Sequence, residues 1–106
     1  MNKAIWICTF KLKKDASVPE FLAAAKELVD GHISKQKGFI SWQQLQGEDD
    51  TWTDILTFET MGDVKSFENN SAQNPCELAK AFYSFLNLMS CKVRYNTLVA
   101  EHGKML

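Results

Sequence analysis

A chain of 106 residues with 12 Lys and Arg against 13 Asp and Glu has a formal net charge of -1, too little basic field to gather nucleic acid or an anionic membrane surface. With 45% hydrophobic and 24% charged residues it reads as a folded domain and not a disordered one. Its length buries one core, so residues 1–106 are expected to form a single domain.

The first strand is "AIWICTFKLK", 4–13, with Ala4, Trp6, Cys8, Phe10 and Leu12 on one face and Ile5, Ile7 and Thr9 on the other. Its opening apolar run, Ala4 to Cys8, is too short for a signal-peptide core or a membrane span. "DASVPEF" then opens a helix: Ser17 is the N-cap, Pro19 suits the first turn and Glu20 completes a capping box. Its buried stripe is expected to be Phe21, Leu22, Ala25, Leu28, Val29 and Ile33, with Gly38 as the stop.

In the second strand Ile40, Trp42 and Gln44 alternate with Phe39, Ser41, Gln43 and Leu45, and "QGEDD" makes a turn. The return strand, Thr53 to Glu59, sets Ile55 and Thr57 against Leu56 and Phe58. A second helical region begins at Gly62 and Asp63, carries Val64 and Phe67 inward and breaks at "NNSAQNP". Asn74 as cap, Pro75 at the first position and Glu77 restart it, with Leu78, Ala81, Phe82, Phe85 and Leu86 on the apolar face. The last strand, 89–100, alternates Cys91, Val93, Tyr95, Thr97 and Val99 with Lys92, Arg94, Asn96 and Leu98.

The order β-α-β-β-α-β predicts an α+β, ferredoxin-like fold, a four-stranded antiparallel sheet with two helices on one face. Strands one and three are apolar on both faces, so the bare face calls for a second cover, and a homodimer through that face is the simplest arrangement. The odd, widely spaced Cys8, Cys76 and Cys91 suit neither a disulfide framework nor a zinc site, which suggests reduced thiols in the cytoplasm. Cys8 and Cys91 are expected on central strands as buried small hydrophobes, and Cys76, near a helix start, is the more reactive candidate. The acids 48–50 read as a solvated turn, and no metal-ligand spacing, phosphate loop or catalytic triad is present.

The same order, with "KGFISWQQLQ", "ILTFETMGDVKSF" and "YNTLVAEH", resembles the dimeric α+β barrel superfamily, and within it the antibiotic-biosynthesis-monooxygenase-like group. The resemblance spans about residues 3–100. It implies a pocket between sheet and helices in each subunit; some members of the group oxidise phenols or quinols with dioxygen and no bound cofactor, others degrade haem, and many have no known reaction. Met61 stands two residues past Glu59, where the group commonly has Trp, and Asn70 lies near the position of a helical His. With no strand-one Asn, Phe58 at the strand-three Trp position and no His in the second helix, haem breakdown is not expected.

A small aromatic ligand would find flat apolar walls in Trp6, Trp42, Phe58, Phe82 and Tyr83, with hydroxyls from Tyr83 and Tyr95. His32, beside the apolar stripe of the first helix, is the candidate acid–base residue, although a lone helical histidine is commonly structural and each aromatic could be ordinary core. The expected function is a cofactor-independent monooxygenase acting on a small aromatic compound. The alternative is a non-catalytic barrel that binds a small ligand or serves in stress response.

Overall fold

The computed structural model describes residues 2–104. Its elements run β1 (Ala4–Leu12), α1 (Val18–Gly31), a 3-10 turn (Ile33–Lys35), β2 (Phe39–Gln46), β3 (Trp52–Phe58), α2 (Met61–Gln73), α3 (Glu77–Tyr83) and β4 (Leu86–Thr97). The strands form one antiparallel sheet in the order β2-β3-β1-β4, the ferredoxin-like arrangement, with α2 and α3 sharing the place of its second helix. Consequently β1 and β3 are central and β4 is an edge. Cys91 therefore lies on an edge strand, half-buried, and only Cys8 occupies a central, buried position.

Helix α1 starts as the capping box requires, with the Ser17 hydroxyl accepting from the Glu20 amide at 3.3 Å and Pro19 in the first turn. It buries Phe21, Ala25 and Leu28, while Leu22 is 43% exposed and leaves the expected stripe. The helix stops at Gly31 and not at Gly38. A Cβ on Gly31 would stand 2.7 Å from Leu78 Cδ1, His32 leaves helical geometry at φ -142, and the following turn buries Ile33 separately. Gly38 has another task, opening β2 at φ +79 with the Asp63 carboxylate against it, so close that any Cβ would collide.

Strict alternation fails in β2. Phe39 pairs with Phe58 but Ser41 with Thr57, so one extra residue bulges around Ile40 and Phe39 joins Trp42 and Gln44 on the helix-facing side. The ring centroids of Phe39 and Phe58 are 5.8 Å apart, and Ile40 is 38% exposed. A larger slip separates β1 from β4, where Thr9 pairs with Lys92 and Lys11 with Asn87, so β4 starts at Leu86 and ends at Thr97. Leu88 and Met89, within the slip, are 60% and 96% exposed.

Thr60 caps α2, its hydroxyl accepting from the Asp63 amide at 3.0 Å, and the helix runs through the expected break to Gln73. Asn74 ends this helix instead of capping the next one: its amide donates to the Asn70 carbonyl. Cys76 occupies the N-cap position of α3, and Pro75 lies outside it. Of the face expected here, Phe82 is buried, Ala81 points outward, and Phe85 and Leu86 lie beyond the helix.

Between helices and sheet, fully buried Phe21 stands 5.1 Å from Trp52, 5.2 Å from Phe82 and 6.0 Å from Phe10 by ring centroids. The opposite sheet face carries Ile5, Ile7 and Ile55 at its centre, only half-buried, flanked by Lys92, Arg94 and Asn96 on β4.

Candidate functional site

Two adjoining cavities lie between the sheet and the helices, separated by the shared walls Leu28, Ile33, Phe67 and Tyr83. The inner one, about 40 Å³, is floored by the sheet residues Trp6, Cys8, Phe10, Trp42, Asp54 and Leu56 and roofed by Phe82. The outer one, about 170 Å³, lies among the end of α1, α2 and α3, with His32, Ser71, Cys76, Ala79 and Lys80 in its wall. A cavity near 150 Å³ is enough for benzene, whereas about 40 Å³ admits only a few atoms. By volume alone the outer cavity has room for a ring and the inner one for a substituent.

The structure brings together Trp6, Trp42, Phe82 and Tyr83 around the inner cavity, with Trp42 and Phe82 in edge contact at 5.3 Å and Phe82 and Tyr83 at 5.6 Å. His32 is half-buried in the outer wall, where Tyr83 is the one of these four that it shares a cavity with. Phe58 does not line either cavity: it is wholly buried between Phe39 and Phe67, the latter at 5.4 Å. Tyr95 is also elsewhere. It sits 43% exposed on edge strand β4, where its hydroxyl donates to Glu68 and the Lys65 ammonium rests 3.5 Å above its ring. Glu68 also accepts from the Trp6 indole at 3.1 Å, so one carboxylate on α2 ties down both β1 and β4.

Asp54, not singled out from the sequence, is the most unusual group in the site. It is 4% exposed, on the inward face of central strand β3, between Trp52 and Leu56. Opposite it in the ladder, Gln44 donates to Asp54 Oδ1 at 3.2 Å. Burial pushes the carboxyl from its ordinary 3.8 up to about 7, and the dipoles of Gln44 and Trp42 offset only part of that rise. The Trp42 indole nitrogen is close enough to favour the ionised carboxylate but lies outside hydrogen-bonding geometry, and among the described residues it has no partner. Cys8, across the β1–β3 ladder from Asp54, is held as a thiol up to about 12, first by burial and then by the nearby Cys91 and Asp54 charges. Burial, with Cys8, Cys91, Asp54 and Glu68 adding to it, raises the Tyr83 phenol as well.

One signal for Asp54 was available in the sequence. In Trp52, Asp54, Leu56 and Phe58 the carboxylate takes an inward slot of a period-2 pattern, where an acid costs free energy unless something compensates it. This arrangement offers a buried acid–base group, an unpartnered donor near it, and largely apolar walls.

No family model matches the sequence, and no curated protein does. Solved structures do. A candidate antibiotic biosynthesis monooxygenase from Bordetella bronchiseptica superposes with a TM-score of 0.76 at 13% identity, over 94% of this chain and 100% of the other. The chain has the fold of the antibiotic biosynthesis monooxygenase-like proteins. SnoaB of Streptomyces nogalater, a cofactor-independent oxygenase, shares this monooxygenase-like fold at 0.65 and 12% identity, over 97% of each chain. A haem-degrading protein from Mycobacterium tuberculosis shares it at 0.67 and 11%, over 97% and 98%. One fold thus supports different chemistries, and the reaction has to be argued from the site itself.

Proposed function

We propose that this protein is a cofactor-independent monooxygenase that oxidises a small phenol-like ring with dioxygen, using Asp54 as general base. The observation carrying the proposal is that Asp54, its carboxyl pushed by burial up to about 7, lines the inner cavity. A base works best when its pKa lies near the operating pH, since it is then available yet still strong enough to take a proton. His32, in the outer wall, is given no acid–base part in this scheme.

Without an added reductant the substrate must supply all four electrons that dioxygen consumes. Asp54 takes the ring hydroxyl proton, and the electron-rich ring carbon of the phenolate adds to dioxygen. The Asp54 proton passes to the resulting peroxide. The O–O bond then breaks, the ring C–H proton leaves with the departing hydroxide as water, and a quinone remains. One phenol and one dioxygen thus become one quinone and one water. The apolar walls support this by keeping the peroxide from bulk water.

The protein is further proposed to pair with a second copy through the sheet face centred on Ile5, Ile7 and Ile55. Apolar area on that face is worth roughly 25 cal/mol per Å² when covered.

Oxygen uptake with simple phenols and quinols tests the reaction. Wild-type protein is expected to accelerate uptake, Asp54→Asn to lose about 100-fold or more, and His32→Ala to stay within about threefold. Uptake no faster than the spontaneous rate, or unaltered in Asp54→Asn, leaves a barrel that only binds its ligand.

A further inference from the structure

Two polar atoms at the inner cavity have bonding capacity left over, and they are complementary. Gln44 occupies Asp54 Oδ1 at 3.2 Å, one bond to a carboxyl group that can accept several. Beside it the Trp42 indole N–H is buried with no acceptor among the described residues. A carboxyl with accepting capacity to spare and an unpartnered donor, both in the wall of the inner cavity, define what can fill it.

A hydroxyl satisfies both, because it donates one hydrogen bond and accepts another. A carbonyl or ether oxygen can serve Trp42 but leaves the carboxylate unmet, an ammonium group does the reverse, and a methyl group meets neither. Size narrows the choice again. The inner cavity of about 40 Å³ takes a hydroxyl and no ring, while the outer cavity of about 170 Å³ takes one six-membered ring. A ligand that spans the two has to displace the shared wall, of which Tyr83, 46% exposed, is a part.

We infer that the Trp42 indole N–H and the Asp54 carboxyl together form a hydroxyl-recognition pair, and that the ligand is a monocyclic compound presenting one hydroxyl to the inner cavity with its ring in the outer one. This rests on the oxygenase reading for its substrate but not for its test. Trp42 is a substrate-contacting residue in this scheme, Gln44 a positioning residue that holds the Asp54 carboxyl through Oδ1.

The full chain, ¹⁵N-labelled and kept without oxygen, is titrated with phenol, anisole and toluene while the indole N–H signals are followed. Trp42→Phe, which keeps an apolar ring and deletes the donor, assigns the Trp42 signal. Phenol is expected to move that signal more than those of Trp6 and Trp52, and to bind at least tenfold more tightly than anisole or toluene. Asp54→Ala and Trp42→Phe, each first shown to keep a dispersed spectrum, should each lose about tenfold for phenol while toluene is unchanged. Equal affinity for phenol and anisole, a stationary Trp42 signal at saturation, or no binding by any of the three overturns the inference. A phenol preference without oxygen uptake retires only the oxygenase reading, and uptake without the preference retires only this one.

Discussion

Gln44 and Asp54 stand directly opposite each other on β2 and β3, and the amide donates to the carboxylate at 3.2 Å in a nearly dry environment. One neutral hydrogen bond does not offset the loss of water, so the folded protein holds the Asp54 proton up to about pH 7 while the unfolded chain releases it near 3.8. Between those values the unfolded state binds fewer protons, so stability falls as pH rises through this window and levels off above it. At roughly 1.4 kcal/mol per tenfold change in proton affinity, the fall amounts to about 4 kcal/mol. Urea unfolding at pH 4.5, 6 and 8 should show wild-type protein losing ground relative to Asp54→Asn as pH climbs. A constant difference between the two proteins would be incompatible with a raised Asp54 pKa.

The same titration governs the proposed reaction. Asp54 must be ionised to accept a proton, so kcat/KM should rise with pH through about 7 and then flatten until another group intervenes. Steady-state oxygen uptake from pH 5 to 9 measures this. An activity that is flat across pH 6 to 8 removes Asp54 as the base.

The three thiols should separate by rate under alkylation. Cys8 is buried and keeps its proton to about pH 12, so at pH 8 its thiolate fraction is on the order of 10⁻⁴. Cys76, half-buried in the outer wall, is expected to react well before Cys8 with iodoacetamide, as peptide mass spectrometry can follow. A ring compound in the outer cavity should slow Cys76 and leave Cys91 unaffected, because Cys91 lines neither cavity.

Gly38→Ala should destabilise the fold by roughly 2–4 kcal/mol, combining a left-handed backbone with overpacking. At φ +79 the new methyl would meet Asp63 Oδ2, Cγ and Cβ, all closer than atoms can approach without displacement. Chemical denaturation gives the value. A loss under about 0.5 kcal/mol would mean that the start of β2 relaxes freely.

Ile7→Lys and Ile55→Lys place ammonium groups at the centre of the bare sheet face, away from both cavities. If that face joins two copies, sedimentation should show dimers of the wild type at micromolar concentration and monomers of either variant. Monomeric wild-type protein would refute the pairing.

Local patterns made much of this architecture legible in advance. Period-2 runs such as Ala4, Trp6, Cys8 and Phe10, and the Ser17–Glu20 capping box, are set by contacts within a few residues, and they determine which strands and helices exist and in what order. What depends on distant partners was not legible. Ile40 bulges because β3 offers one residue where β2 has two, which turns Phe39 inward against the reading by alternation. Helix α1 stops at Gly31, where Leu78 of α3 leaves no space for a side chain, and Asn74 ends α2 where a cap for α3 was expected. The pocket shows the same division. Aromatic content pointed to Trp6, Trp42, Phe82 and Tyr83, but Phe58 is claimed by Phe39 and Phe67, and Tyr95 by Glu68 and Lys65. Asp54 becomes a base candidate only once the helices close over β3, because a carboxylate's pKa is set by the water it loses, and sequence neighbours do not decide that loss.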